Sequence, residues 1–205
     1  CGFRSTSFYP CYGLAEATLA VTCCTKGDGA GVVSFDAEAL LDGTLKTAAG
    51  SARETRLVGC GHSSPDHEVL IVNPSTRLRC AEGGIGEIWV RGPSISSGYF
   101  DNPAETDAAF HASLADTEEG PFLRTGDLGA IVRGELYVTG RLKDVLIIRG
   151  RNYYPHDLES TVSSSHEAMR PNCGAVFTIP LQGEERLVIV QEVKEGTAEP
   201  APEQT

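Results

Sequence analysis

The chain has 205 residues, 40% of them hydrophobic and 22% charged, and its 28 acidic against 17 basic side chains give a formal net charge of −11. That length accommodates one large domain or two small ones, and the composition is globular. An acidic chain without clustered Lys and Arg suits neither nucleic acid nor an anionic membrane, because both need a concentrated basic face; a nucleotide needs only a few placed cations.

The longest weakly polar stretch, Tyr12 to Thr25, carries Glu16 and is too short to span a bilayer, so no membrane span is expected. Seven cysteines, an odd number at irregular spacing with Cys23 and Cys24 adjacent, argue against a disulfide framework and for a reducing cytoplasmic setting. Cys60-Gly61-His62 with nearby His67 lacks the paired spacing of a zinc site. Packed cysteines and surface histidines account for it.

In chain order, Phe8 to Thr22 reads as a strand end, a tight Tyr12-Gly13 turn and a short helix. Lys26 to Ser51 is rich in Gly, Ala and Thr, with a helical stretch at Phe35 to Leu41. From Arg56 the pattern turns strand-like: Val69–Val72, Glu87–Arg91, Glu135–Thr139 and Val145–Arg149 are apolar and β-branched, bounded by Gly, Pro or Asn. One helix interrupts them, with Asn102 as N-cap, Pro103 at the first helical position and Glu105 completing a capping-box-like spacing. Pro155 opens another helix, with Asp157 and Glu159 near its positive end and Leu158 and Val162 on one face. Strands at Gly174–Ile179 and Arg186–Val193 follow, and the tail from Gly196 reads as linker. These shifts put a boundary near Lys143.

Arg124-Thr125-Gly126-Asp127-Leu128 alone reads as a turn between strands, and Gly140-Arg141-Leu142-Lys143-Asp144 as a charged hairpin end. Their order carries more information. Tyr9-Pro10-Cys11-Tyr12-Gly13-Leu14-Ala15-Glu16-Ala17-Thr18-Leu19 resembles the adenine-binding loop of adenylate-forming enzymes. The Asp127 motif, Gly134 to Asp144, and Ile148-Arg149-Gly150-Arg151-Asn152-Tyr153-Tyr154-Pro155 follow in that superfamily's order, in spellings similar to fatty acyl-AMP ligases. The resemblance runs from about Phe3 to Val193.

It implies an α/β, β-rich architecture: residues 1–142 would end a large AMP-binding domain with a distorted β-barrel subdomain. Residues 143–205 would hold a hinge and an incomplete small α+β C-terminal domain. It also implies ATP and AMP as ligands, Mg²⁺ as metal, and a fatty acid and an acyl carrier protein as partners. Carboxylate activation means attack on the α-phosphorus of ATP with loss of pyrophosphate, so nucleoside and phosphate must be held in line and building charge offset.

The resemblance gives Tyr12 and Gly13 the adenine, Asp127 the ribose hydroxyls, and Arg141 the ribose and phosphate oxygens, for which a rigid guanidinium suits better than Lys. Glu16 offers Mg²⁺ a hard oxygen. Lys143 stands at the hinge, and Gly150 lies in the segment that domain rotation brings to the site. Thr25 to Ala52, with Phe35-Asp36-x-x-Ala39-Leu40-x-x-Gly43, resembles an insertion thought to dock on the large domain, limit rotation and favour a carrier protein over CoA; the plain alternative is a mobile loop.

The superfamily's phosphate loop would lie upstream and its late catalytic lysine downstream, with no lysine after Lys194, so catalysis by the chain alone is not expected. An acyl-CoA synthetase, an amino-acid adenylation domain, or a non-catalytic AMP-binding module are the other readings.

Overall fold

The fold was obtained as a computed structural model that describes residues 2–148, 151–181 and 184–194. The expected roles of Arg149 and Gly150, and the tail from Gly196, lie outside the described residues. The chain is mixed α/β and strand-rich, and it divides into two compact units, Cys1–Lys143 and Asp144–Thr205.

The first unit is built on a four-stranded antiparallel sheet of β6 (Glu68–Val72), β7 (Gly86–Arg91), β8 (Leu123–Val132) and β9 (Glu135–Arg141), in that order. Five consecutive residues of β7, Gly86 to Val90, are buried, so this strand is covered on both faces. On one side Ile88 and Val90 join Tyr12, Ala17, Val21, Ile71 and Leu136. On the other, Trp89 packs with Val72, Leu114 and Phe122. Alternation along a strand sends successive side chains to opposite faces, so an apolar run with no polar partner rhythm is what a doubly covered strand requires.

Next along the chain's first third, β1 (Cys11–Gly13), β2 (Ala20–Cys23) and β5 (His62–Ser63) form a three-stranded sheet. The short helix expected before Thr22 is one 3-10 turn, Ala15–Ala17, followed by β2. A hairpin-like pair of β3 (Val32–Asp36) and β4 (Glu54–Val58) encloses the helix α1 (Ala37–Leu41). Phe35, expected to be helical, is therefore a strand residue. The helix starts only after Asp36, whose Oδ1 accepts from the amides of Glu38 at 2.8 Å and Ala39 at 3.0 Å. Capping by Asp at this place fixes the start, because it satisfies amides that have no partner inside the helix.

The inserted segment is packed rather than loose. Phe35, Leu40 and Leu45 are buried, and Phe35 meets the Tyr137 ring edge-on with centroids 5.0 Å apart. Leu41 is half-buried. Backbone bonds from Leu45 to Gly83 (2.7 Å) and from Ile85 to Gly43 (2.9 Å) tie its far end to the unit. The helix α2 (Pro103–Phe110) is capped as its sequence implies, with Asn102 Oδ1 accepting from the Glu105 amide.

Among the described residues the ladders form separate sheets of four, three and two strands, with no closed barrel.

The second unit holds a short antiparallel pair, β10 (Leu146–Ile148) with β11 (Arg151–Tyr153), then α3 (Pro155–Ser165) and a long hairpin of β12 (Met169–Leu181) with β13 (Glu184–Val193). α3 packs on β12, where Val176 is buried and its amide donates to Glu159 Oε1 at 3.1 Å. Much of the hairpin's apolar surface is exposed, including Phe177, Leu181 and Val190.

Candidate active site: a carboxylate clamp at a strand bulge

Asp127 does not sit in a turn. It lies within β8, at a place where the ladder with β7 is irregular: Glu87 pairs with Leu128 and Trp89 with Arg124, so the single residue Ile88 faces Thr125, Gly126 and Asp127. Extra residues opposite one partner make a bulge, which bends a strand and re-aims its side chains. Gly126 has φ +73°, the left-handed region where glycine carries no Cβ penalty. The bulge is pinned from inside. Thr125 Oγ donates to the Ile88 carbonyl at 2.8 Å and accepts from the Asp127 amide at 3.1 Å.

The other anchor is Glu87, 2% exposed, whose carboxylate collects three donors. Trp89 Nε1 and Arg124 Nε both reach Oε2 at 2.9 Å, and the Gly126 amide reaches Oε1 at 3.2 Å. A buried carboxylate is tolerated only when its lone pairs are used and a cation answers its charge. In the sequence Glu87 reads only as the start of a strand. A charged residue inside an apolar run, Gly86-Glu87-Ile88-Trp89-Val90, was the signal available.

Held this way, Asp127 meets two residues expected for the same site. Tyr12 donates its hydroxyl to Oδ2 at 2.8 Å, across 115 residues of sequence. Arg141, its register partner on β9, donates Nε to Oδ1 at 3.0 Å. The Asp127 side chain is 13% exposed and that of Arg141 70%. An ionised carboxylate has about four acceptor positions. Two are used here, one per oxygen, which leaves one on each oxygen for a further donor. The Tyr12 hydroxyl is held protonated well above the ordinary tyrosine range, first by burial.

The Tyr12 ring is only 7% exposed and belongs to the core. A flat face open to a ligand, the use expected from sequence, is not what this packing offers. The polar end of the side chain is what reaches the site. Gly13 stands at an irregularity of the β1–β2 register. A Cβ there would come within 1.7 Å of the Leu19 carbonyl oxygen, so no other residue fits without moving the loop.

Glu16 occupies a separate corner. Its Oε1 accepts from the Tyr99 hydroxyl at 2.9 Å, and its carbonyl accepts from the Ser96 amide at 2.8 Å. Thr18 Oγ1 donates to the Ser94 carbonyl and Ser94 Oγ to the Ala17 carbonyl, both at 2.9 Å. The segment Ser94–Tyr99 thus clamps the 3-10 turn. Burial, and then the bond to Glu16, push the Tyr99 hydroxyl above its ordinary range. Nothing local in the sequence tied Ser94, Ser96 or Tyr99 to Glu16. Lys143 is exposed, in the turn that follows β9.

Residues 1–100 match the sequence family described as AMP-binding enzyme. The chain is 47% identical over 196 residues to the medium-chain-fatty-acid–[acyl-carrier-protein] ligase JamA of Moorena producens, across 94% of this chain and 33% of that protein. Over its first 100 residues the chain is similar to the AMP-binding enzymes. It spans about a third of the length of the curated relatives it matches, for example 33% of JamA.

Solved structures agree in fold. One, from work on fatty acyl-adenylate ligases of E. coli and L. pneumophila, has a TM-score of 0.78 at 33% identity, over 95% of this chain and 33% of that one. Another, the L. pneumophila ligase in complex with acyl adenylate and pyrophosphate, has a TM-score of 0.64 at 40% identity, over 95% and 34%. Among the described residues, no helix is long and apolar enough to cross a membrane.

Proposed function

We propose that this chain is part of a fatty acyl-AMP ligase, which joins a fatty acid to ATP as acyl-adenylate and pyrophosphate and passes the acyl group to a carrier protein in the cytoplasm. The observation that carries this reading is the Asp127 carboxylate, fixed by Tyr12 and Arg141 with one acceptor position left on each oxygen. Two vicinal ribose hydroxyls are the donors that suit such a pair. Arg141, largely exposed, keeps its terminal nitrogens for ribose or phosphate oxygens. Tyr12 serves the nucleoside by orienting Asp127, and Gly13 by letting the loop close on Leu19.

Mg²⁺ fits Glu16 as a hard cation held by one carboxylate and mainly by polyphosphate oxygens and water; among the described residues no cluster of three metal-ligating side chains exists. Tyr99 donates to one carboxylate oxygen and leaves the other for the ion. When bound, Mg²⁺ would neutralise charge on the leaving pyrophosphate. We read residues 1–142 as the end of the AMP-binding domain, whose separate sheets would complete a distorted barrel in the longer protein. Residues 143–205 are read as the hinge, at Lys143, and part of a small C-terminal domain. The relative named as an acyl-carrier-protein ligase supports the carrier as acceptor.

The test uses the longer protein that carries this chain, in ATP–pyrophosphate exchange with fatty acids, followed by transfer to a phosphopantetheinylated carrier or to CoA. Fatty-acid-dependent exchange and acylated carrier with little acyl-CoA are expected. No exchange would leave a non-catalytic AMP-binding module, and abundant acyl-CoA an acyl-CoA synthetase.

A further inference from the structure

The adenine-loop-like hairpin carries two thiols whose placement is set by the β1–β2 ladder. Cys11 and Cys23 are register partners, and Tyr12 pairs with Thr22. One step further out, the Cys24 amide donates to the Pro10 carbonyl at 3.1 Å, which makes Pro10 and Cys24 a hydrogen-bonded pair. Antiparallel ladders alternate, so the Cys11–Cys23 pair between these is of the non-hydrogen-bonded kind, with Cα atoms about 4.5 Å apart and side chains at their closest.

Directly opposed residues point to the same face. Tyr12 and Thr22 are buried together, which puts Cys11 and Cys23 together on the opposite, more open side. Cys24 is out of this pairing: its Sγ donates to the Gly59 carbonyl at 3.3 Å. Cys11 is exposed, Cys23 half-buried, and both are free thiols. The Tyr9 hydroxyl is pushed above its ordinary range, first by its hydrogen bond with Cys23 and then by burial.

We propose that Cys11 and Cys23 form a reversible cross-strand disulfide, a redox modification site in the hairpin that carries Tyr12, Gly13 and Glu16. Disulfides need Cα separations of about 4.4–6.8 Å, a window this pair type meets at its short end without backbone movement. The oxidant is a low-molecular-weight disulfide. The Cys11 thiolate attacks one of its sulfurs and releases one thiol. The Cys23 thiolate then attacks Cys11 Sγ and releases the second. Two protein thiols lose two electrons and two protons, and the reagent becomes two thiols.

The experiment incubates the intact protein with oxidised glutathione, alkylates the remaining thiols, and digests with trypsin and glutamyl endopeptidase without reduction. Cuts after Arg4, Glu16 and Lys26 leave Cys11 on residues 5–16 and both Cys23 and Cys24 on residues 17–26. A linked species weighing the two peptides less two hydrogens, plus the one alkyl group on Cys24, is expected, with fragmentation assigning Cys23, and it should split on adding reductant. It should persist in Cys24→Ser and vanish in Cys23→Ser. Glutathione adducts on Cys11 with no linked species, a link assigned to Cys24, or a Cys23–Cys24 bond would each overturn the proposal.

Discussion

The sheet β6–β9 and the hairpin β12–β13 are both antiparallel ladders of β-branched and aromatic residues, yet they are used in opposite ways. In the sheet, β7 is covered on both faces, and the burial that holds Trp89 also holds Glu87 and hence the bulge at Asp127. In the hairpin, among the described residues, α3 covers one face while Phe177 stays 41% exposed. Sequence alternation alone does not separate the two cases. A carboxylate can be aimed to within hydrogen-bonding tolerance only where neighbours on both sides remove its freedom.

The largest expected effect contrasts these regions. Trp89→Ala should cost about 3–5 kcal/mol of unfolding free energy, whereas Phe177→Ala should cost well under about 1 kcal/mol. Glu87→Ala should approach the Trp89 value, at about 2–4 kcal/mol, because it strands the Trp89, Arg124 and Gly126 donors around a lost charge. Urea unfolding of the variants checks both statements. Equal losses at Trp89 and Phe177 would erase the distinction.

The next effect concerns ligand rather than stability. In the longer protein, Asp127→Ala should weaken AMP binding by about a hundredfold or more, from two hydrogen bonds to a charged group at about 1.5–3 kcal/mol each. Calorimetry measures it. Affinity within about threefold of wild type, near 0.65 kcal/mol, would remove Asp127 from the nucleoside site.

A smaller effect should appear at high pH. Tyr137, whose ring packs on Phe35 and whose hydroxyl donates to Glu135 Oε2 at 2.9 Å, has its titration pushed up to about 12, first by burial and then by that bond. The folded state therefore favours the neutral phenol. Its contribution is full below the unfolded value near 10 and is lost as pH rises through about 12. Tyr12 acts in the same direction, so Tyr137→Phe should reduce, not abolish, the fall in thermal midpoint across that window. An unchanged pH profile in the variant would contradict the assignment.

The smallest effect belongs to the surface. Arg79 and Arg91 interleave with Glu68 and Glu119 in a half-exposed network, where exchange with water offsets most of the attraction. Arg79→Ala should change stability by under about 1 kcal/mol, less still in high salt. A loss matching that of Glu87→Ala would mean the network, not the doubly covered strand, holds the sheet.

The resemblance to fatty acyl-AMP ligases and the elements whose causes are local were legible in the sequence. Asn102 and Pro103 start α2, Pro155 starts α3, and the apolar runs at Glu68–Val72 and Gly86–Arg91 become strands because these signals act within a few residues. What Tyr12 does follows from long-range packing. Its neighbours in space, Ile71, Ile88 and Leu136, lie far along the chain, and they bury a ring that an open loop would have exposed. Likewise Asp127 reads as a turn residue until β7 and β9 pair on either side of it and make it a strand bulge facing Arg141. Phe35 went to a strand because pairing with Thr55 and packing on Tyr137 outweigh a helical pattern that Asp36 caps one residue later. Register between distant strands is set by long-range burial and pairing, and no window of local sequence contains it.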